Sequence, residues 1–345
     1  MSGPGERVTA TQIAVEAGVS LPTVSKVLNR RSGVAPETRR KIEELLEQHN
    51  YVRPVGRLAQ SAGLIDLVFD GLDTPWVLEV LEGVEDGLRG SGRAVVVTGD
   101  HSDPQGAKAW LENLSVRPSD GVIMAVAALT GRQRSQLDSL GLPFVVIDPV
   151  GQLDPNVMSV GAANYSGGLA ATEHLLSLGH RRIAMIGGPP HMLFSRARND
   201  AYRSALLDAG IPIDPELITT GDCRTEDGYR QATRLFALPE PPTAIFAASD
   251  QQATGIYDAA RDNGLSIPDD LSVVGFDDLP SASWLRPRLT TVRQPIRAMA
   301  ATATDMLLKS IDADGPSLLR VELATQLVVR ESTRSVAEAA RGRQP

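Results

Sequence analysis

Val8-Thr9-Ala10-Thr11-Gln12-Ile13-Ala14-Val15-Glu16-Ala17-Gly18-Val19-Ser20-Leu21-Pro22-Thr23-Val24-Ser25-Lys26-Val27-Leu28-Asn29 reads as two short helices joined by a tight turn. Thr9 is placed to cap the first helix, and Gln12, three residues on, completes a capping box. Ile13, Ala14 and Ala17 form an apolar stripe at helical spacing, and Gly18 supplies a turn that tolerates positive φ. Ser20 caps the second helix, with Pro22 in its first turn, where a missing N–H costs nothing. Val24, Val27 and Leu28 face back onto the first helix. Leu21, Pro22, Thr23, Ser25 and Lys26 are left outward, a small polar face led by a cation. That layout is a helix-turn-helix, whose second helix enters the major groove of DNA with its N-terminal residues on base edges.

Outward from this stretch, Asn29 to Val34 is a polar loop, and Pro36 and Glu37 open a third helix through Gln48. Ile42, Leu45 and Leu46 are its buried stripe, so residues 1–50 make one small all-α domain. Residues 51–63 (YVRPVGRLAQSAG) read as a linker, because Pro54, Gly56 and Gly63 interrupt regular structure. The charge changes sign along the chain. The full 345 residues carry a net charge of −8, yet residues 1–60 hold nine Lys/Arg against six Glu, a balance of +3. A basic head on an acidic body fits a small domain that meets phosphate and a larger one that does not.

The length predicts two or three domains, and 42% hydrophobic residues with only 4% aromatic describe an aliphatic globular core. No apolar run is long enough for a membrane helix, and residues 1–15 lack the apolar core of a signal peptide. Cys223 is the only cysteine, which excludes an internal disulfide and fits a reducing cytoplasm.

From Leu64 the rhythm becomes that of alternating strands and amphipathic helices. Strands are expected at 64–70, 93–99, 120–126 and 143–149, then at 181–188, 216–222, 243–249 and 271–278. Continuous Val/Ile runs between helices indicate parallel sheets covered on both faces. The two blocks suggest two similar α/β lobes with a break near Gly161–Tyr165. Open α/β sheets bind ligands outside the carboxyl ends of their strands, so two facing lobes make a clamshell site. The fold class expected is therefore multidomain, a small all-α helix-turn-helix domain followed by a two-lobed α/β core with parallel sheets.

Four separated motifs give this chain a family resemblance. The head follows V-T-x-x-x-I-A-x-x-A-G-V-S-x-x-T-V-S-[RK]-V-L-N, and Leu178-Gly179-His180-Arg181-Arg182-Ile183-Ala184 follows L-G-H-x-x-I-A. Val274-Gly275-Phe276-Asp277-Asp278 and Pro287-Arg288-Leu289-Thr290-Thr291-Val292-Arg293-Gln294-Pro295 follow V-G-F-D-D and P-x-L-T-T-V-x-Q-P. Over residues 7 to about 332 the chain resembles the lactose-repressor (LacI) family of bacterial transcription regulators. The resemblance implies a core like periplasmic sugar-binding proteins at 64–332, whose chain crosses between lobes near 161–164, 289–292 and 323–326. The first lobe would then hold 64–162 and 292–323 and the second 163–290 and 324–332, with 333–345 as a mobile tail.

Within the head, Leu21, Pro22 and Lys26 are placed to touch base edges, Lys26 donating to guanine as a point charge. Thr9, Thr23, Ser25 and Asn29 suit phosphate, which positions the domain without reading sequence, although local caps compete for hydroxyls. One head makes a small interface, so a homodimer on a near-palindromic double-stranded operator is expected. The linker departs from the family's Y-x-P-N-x-x-A-R-x-L, because its proline comes one residue late and Gly56 disfavours helix. Leu58 is either the apolar wedge that the family inserts into the minor groove, with Arg57 beside it, or plain linker.

For the effector cleft, the resemblance assigns Arg198 and Asp277 to ligand binding and turns the loops of Trp76, Trp284 and Phe194 toward the ligand. Asp148 and Asp250 follow strands at cleft-facing ends, and Asp70 and Asp73 follow the first core strand. Strand-end aspartates such as Asp250 and Asp278 have a competing role as helix caps or ion-pair partners. Paired planar polar groups with apolar rings suit a sugar; a purine or other small molecule is the alternative. Cys223 reads as a small apolar filler and Trp110 as packing.

An enzyme is disfavoured, since no G-x-S-x-G, P-loop or G-x-G-x-x-G occurs, and neither a metal nor a cofactor is expected. A periplasmic binding protein is disfavoured by the head and the missing signal peptide.

Overall fold

The computed structural model describes residues 10–28, 33–49, 62–99, 104–126, 130–151, 154, 156–312 and 320–336. They belong to two compact units divided between Gln60 and Ser61.

The first unit holds α1 (Ala10–Ala17), α2 (Leu21–Leu28) and α3 (Pro36–Gln48). Ile13, Ala14 and Ala17 of α1 are buried against Val24 and Val27 of α2 and Ile42 of α3, while Leu45 and Leu46 are only partly covered. Gly18 sits at φ +71°, the left-handed conformation that ends α1, and Val19 N then donates to Ala14 O at 3.0 Å. Lys41 Nζ donates to Ala17 O at 3.0 Å, putting a cation on the negative end of the α1 dipole. Val24 N donates to the Ser20 carbonyl as α2 opens, and the Ser20 and Thr23 hydroxyls are 2.9 Å apart.

The second unit is built on two sheets of six strands. The first sheet has the order β11-β5-β4-β3-β1-β2, all parallel. Its strands are β1 (Leu64–Phe69), β2 (Ala94–Thr98), β3 (Gly121–Ala125), β4 (Phe144–Ile147), β5 (Met158–Ala162) and β11 (Arg320–Leu323). The second sheet has the order β12-β10-β9-β8-β6-β7. It comprises β6 (Ile183–Gly187), β7 (Ile218–Thr220), β8 (Ala244–Ala247), β9 (Ser272–Asp277), β10 (Thr290–Arg293) and β12 (Gln326–Val328). Only β12 runs antiparallel, against β10. The central strands are buried throughout because helices cover both faces, as their unbroken apolar runs require.

All eight strands expected from the sequence are present, and four more (β5, β10, β11 and β12) are the strands that lead into or out of the crossovers. The chain passes between lobes from β5 into α7 (Asn164–Ser177), from β10 into α12 (Ile296–Asp312), and from β11 into β12. The second passage is later than expected. β10 stays paired with β9 as far as Arg293 opposite Asp277, so residues 292 and 293 belong to the second lobe. The turn comes at Gln294 and Pro295, where proline has no N–H to continue a ladder.

Two expected boundaries also move. Ala62 N and Gly63 N of the linker donate to the Asp120 carboxylate at 2.6 and 3.2 Å, so the linker's end is fixed to the first lobe. The first residues of the expected mobile tail are fastened too. His180 Nε2 contacts Ser272 Oγ at 3.0 Å and Arg334 O at 3.1 Å, His174 Nε2 meets Thr333 Oγ1 at 2.9 Å, and Val336 N donates to Leu178 O. Buried polar side chains need such partners, and the tail supplies them. Burial holds both imidazoles below their usual pKa.

Close helix contacts depend on glycine in the second lobe. A Cβ at Gly255 of α10 (Asp250–Asp262) would lie 2.0 Å from the Thr225 carbonyl oxygen, where α9 (Thr225–Phe236) begins. Helix propensity alone favours alanine there by about 1 kcal/mol. A backbone oxygen cannot yield as a side chain does, and overpacking costs about 1–3 kcal/mol. Gly255→Ala is therefore expected to lower stability by up to about 2 kcal/mol once the propensity gain is set against the clash, read as a lower midpoint in urea unfolding.

Candidate functional site

In the head, Lys26 is exposed on α2 and Thr23 is half-buried with its hydroxyl engaged by Ser20. Leu21, Pro22 and Ser25 lie on the same short helix. Thr9, Asn29, Arg57 and Leu58 fall outside the described residues.

The core carries a cavity of about 320 Å³ between its lobes, near the lower end of the roughly 300–1,000 Å³ typical of small-molecule sites. The first lobe contributes Asp70, Asp73 and Trp76 from the end of β1 and the start of α4 (Pro75–Leu88), and Asp148 from the end of β4. The second contributes Phe194 and Arg198 from α8 (Leu193–Asp208), Asp277 from the end of β9, and the Asp222–Arg224 loop. Strand ends converge here because both parallel sheets point their carboxyl edges at one gap.

Arg198 is the centre of the site and is only 3% exposed. Its Nε and Nη2 donate to Asn164 Oδ1 at 2.9 and 2.7 Å, and Nη1 donates to Ala248 O at 2.6 Å. Asp277 Oδ1 lies 3.8 Å from Nη1, an ion pair rather than a hydrogen bond. The guanidinium lies 3.6 Å from the Phe276 ring centroid and 5.0 Å from that of Phe194, so its faces are covered by rings. Gln294 Nε2 donates to Asp148 Oδ2 at 2.8 Å, and Gln294 Oε1 accepts from Arg198 Nη2 at 3.4 Å. One polar network thus joins the two lobes through the floor of the cavity.

Two carboxyls in this network are displaced from their usual pKa. Burial pushes Asp277 up to about 7, with the Arg198 charge opposing and Asp148 adding. Burial also raises Asp148, again opposed by Arg198 and by the hydrogen bond from Gln294. Both residues have positive φ, +119° at Asp277 and +49° at Asp148, as do Val126 and Cys223, which also line the cavity. Strained backbone of this kind gathers at ligand sites, where surrounding structure over-determines it. Burial raises the Cys223 thiol to about 12, so it is an inert neutral group at the wall.

Two expected site residues are elsewhere. Asp250 is fully buried behind the wall, where its carboxylate accepts from Thr291 Oγ1 at 2.6 Å and Leu279 N at 2.8 Å. Its role is to pin β10 and the loop after β9, because a buried carboxylate must be saturated by local donors. Trp284 ends the short helix Pro280–Trp284 and is 74% exposed, outside the cavity lining. Asp278 is bound by Arg293 and Arg330 at 2.7 and 2.6 Å. Conversely Gln294, Asp222, Arg224, Ser249 and Gln251 line the cavity without having been singled out. Gln294 sits in the P-x-L-T-T-V-x-Q-P motif, which was the signal available for it.

Residues 9–54 match the family model described as bacterial regulatory proteins, lacI family, and residues 172–333 match the periplasmic binding protein-like domain. An HTH-type transcriptional repressor PurR of Haemophilus influenzae is 29% identical over 337 residues, covering 95% of this chain and 99% of the relative. The structure of the transcriptional regulator CelR–cellobiose complex is 31% identical, with TM-score 0.73, covering 94% of this chain and 100% of that one. The lac repressor dimer bound to operator and the anti-inducer ONPF is 28% identical, with TM-score 0.70, covering 95% and 100% of the two chains.

The raised Asp277 pKa makes stability depend on pH. Between the unfolded value near 4 and the folded value of about 7, the folded protein keeps a proton that the unfolded chain releases. Ligand-free stability is therefore expected to fall as pH rises through that window, by a few kcal/mol at most. Thermal unfolding across pH 4–8 tests this, and Asp277→Asn should flatten the slope.

Proposed function

This chain belongs to the LacI family of bacterial regulatory proteins, and we propose that it is a repressor whose operator affinity is set by a small sugar bound between its two lobes. As a member of that family it is a DNA-binding regulator. The finer reading rests on the cleft, and one observation carries it. The buried network of Arg198, Asp148, Gln294 and Asp277 forms a polar floor beside the rings of Trp76, Phe69 and Phe194. Vicinal hydroxyls are both donors and acceptors, so they can give to carboxylates and accept from guanidinium and amide, while the C–H faces of a sugar ring rest on aromatic rings.

A purine is the second reading, since the same rings offer flat faces and Gln251 and Gln294 offer paired amide groups. Relatives named PurR and CelR stand at 29% and 31% identity, so distance alone does not choose between effectors and the chemistry of the cleft carries the choice.

In the mechanism, effector binding selects one arrangement of the lobes, and operator affinity changes by the same coupling factor that operator exerts on effector affinity. On the DNA side α2 lies in the major groove of a near-palindromic operator bound by a dimer, with Lys26 donating to a base edge. Among the described residues no helix is long and apolar enough to cross a membrane.

Thermal unfolding of the purified protein against mono- and oligosaccharides, sugar phosphates and purines tests the effector class. A ligand at a hundredfold excess over its Kd should stabilise the folded protein by about 2.7 kcal/mol, and Arg198→Ala or Asp277→Ala should abolish that shift. A shift with purines and with no sugar would overturn the sugar reading. Lys26→Ala is expected to weaken operator binding by about 1–3 kcal/mol in fluorescence anisotropy and to relax preference at one base position.

A further inference from the structure

Asp73 stands just before α4 in the first lobe and Arg224 just before α9 in the second. Both line the mouth of the cavity, and they form a bidentate ion pair across it, with Arg224 Nη2 donating to Asp73 Oδ1 at 3.0 Å and Nη1 to Oδ2. Arg224 N donates to Asp222 Oδ1 at 2.9 Å, which orients the loop that carries the guanidinium. The Arg224 guanidinium in turn holds the Asp73 carboxyl below the usual carboxylate range.

The topology gives this pair leverage. In the first sheet the strands leading to crossovers, β11 and β5, stand at one edge, while β1, which leads to Asp73, is next to the opposite edge. In the second sheet β12 and β10 stand at one edge, and β7, which leads to Arg224, is the opposite edge strand. The pair therefore joins the lobes on the side away from the hinge, where a small rotation about the crossovers opens the widest gap. Other direct bonds between lobes, such as Leu193 N to Val150 O at 3.2 Å and Gln294 to Asp148, involve the cavity floor and the strands nearer the hinge.

We propose that Asp73 and Arg224 are a clasp that holds the lobes closed before any ligand arrives, so that exchange of ligand proceeds through its opening. The exposure of the pair suits this role, because a partly solvated ion pair is weak enough to break on the time scale of lobe motion. A fork-on-carboxylate geometry also fixes one closed position rather than a range of them. Only the consequence for ligand exchange rests on the cleft being the effector site; the clasp itself operates in the ligand-free protein.

The test measures distances in the full chain without ligand. Nitroxide labels on Leu78→Cys in α4 and Glu226→Cys in α9, in a Cys223→Ser background diluted with unlabelled protein, report lobe separation by double electron–electron resonance. The parent should give one narrow, short distance. Arg224→Glu and Asp73→Arg, each alone, should move population to longer distances, and the double swap should restore the parent distribution. Loss of the pair alone is expected to change the closed-to-open ratio by up to roughly fivefold, more where like charges are brought together. Raising the parent protein to about 1 M salt should move it in the same direction and requires no variant to fold. A parent that is already broad, single swaps that match the parent, or a double swap that fails to restore closure would each overturn the clasp.

Discussion

Everything in the core depends on keeping the Arg198 guanidinium charged while it is almost wholly out of water. An isolated buried cation costs several kcal/mol, so its position is tolerable only if every face and every N–H is answered. The answers come from different parts of the chain: Asn164 at the first crossover, Gln294 at the second, the carbonyl after β8, Asp277 at the end of β9 and two phenylalanine rings. The same cation is thus a fastening for the hinge and the polar centre of the cavity. A ligand that takes over any of these bonds alters what holds the crossovers, which gives binding a physical route to the arrangement of the lobes.

That dual role explains why the cleft is acidic without being a simple anion repeller. Asp148 and Asp277 are held where burial disfavours their charge, and each is partly compensated by Arg198 and by amide donors. Carboxyls poised in this way accept from hydroxyls when ionised and donate when protonated, which widens the set of hydrogen bonds available to a neutral polyol. Their positive φ values belong to the same economy, since a strand must turn sharply at its carboxyl end to aim a short side chain into the gap.

The pieces of the site that the sequence revealed and those it concealed differ in kind. Asp148 and Asp277 were legible because they end apolar strands, and Arg198 because the family resemblance assigns its position to ligand binding; the structure brings all three to one cavity. Asp250 carried the same strand-end signature, yet its carboxylate is consumed by Thr291 and Leu279 behind the wall. Nothing local distinguishes the two outcomes; whether a strand-end aspartate caps or binds depends on which donors the neighbouring strand presents. Trp284 illustrates the same limit for rings, being close in sequence to site residues and largely in solvent.

By itself the sequence determined the three-helix head, the eight apolar strands of the two lobes and the family, because capping, turn glycines and period-specific burial are written in neighbouring residues. Only the tertiary structure decided where the chain crosses between lobes, since β11 pairs with the distant β5, Arg320 opposite Ser159, and the pairing of Arg293 with Asp277 sets how far β10 stays in the second lobe. It also decided that residues 333–336 are fastened through His174 and His180, and that Asp73 meets Arg224 over a separation of 151 residues. Such pairings are set by the approach of whole sheets, a property of packed layers that no local pattern encodes.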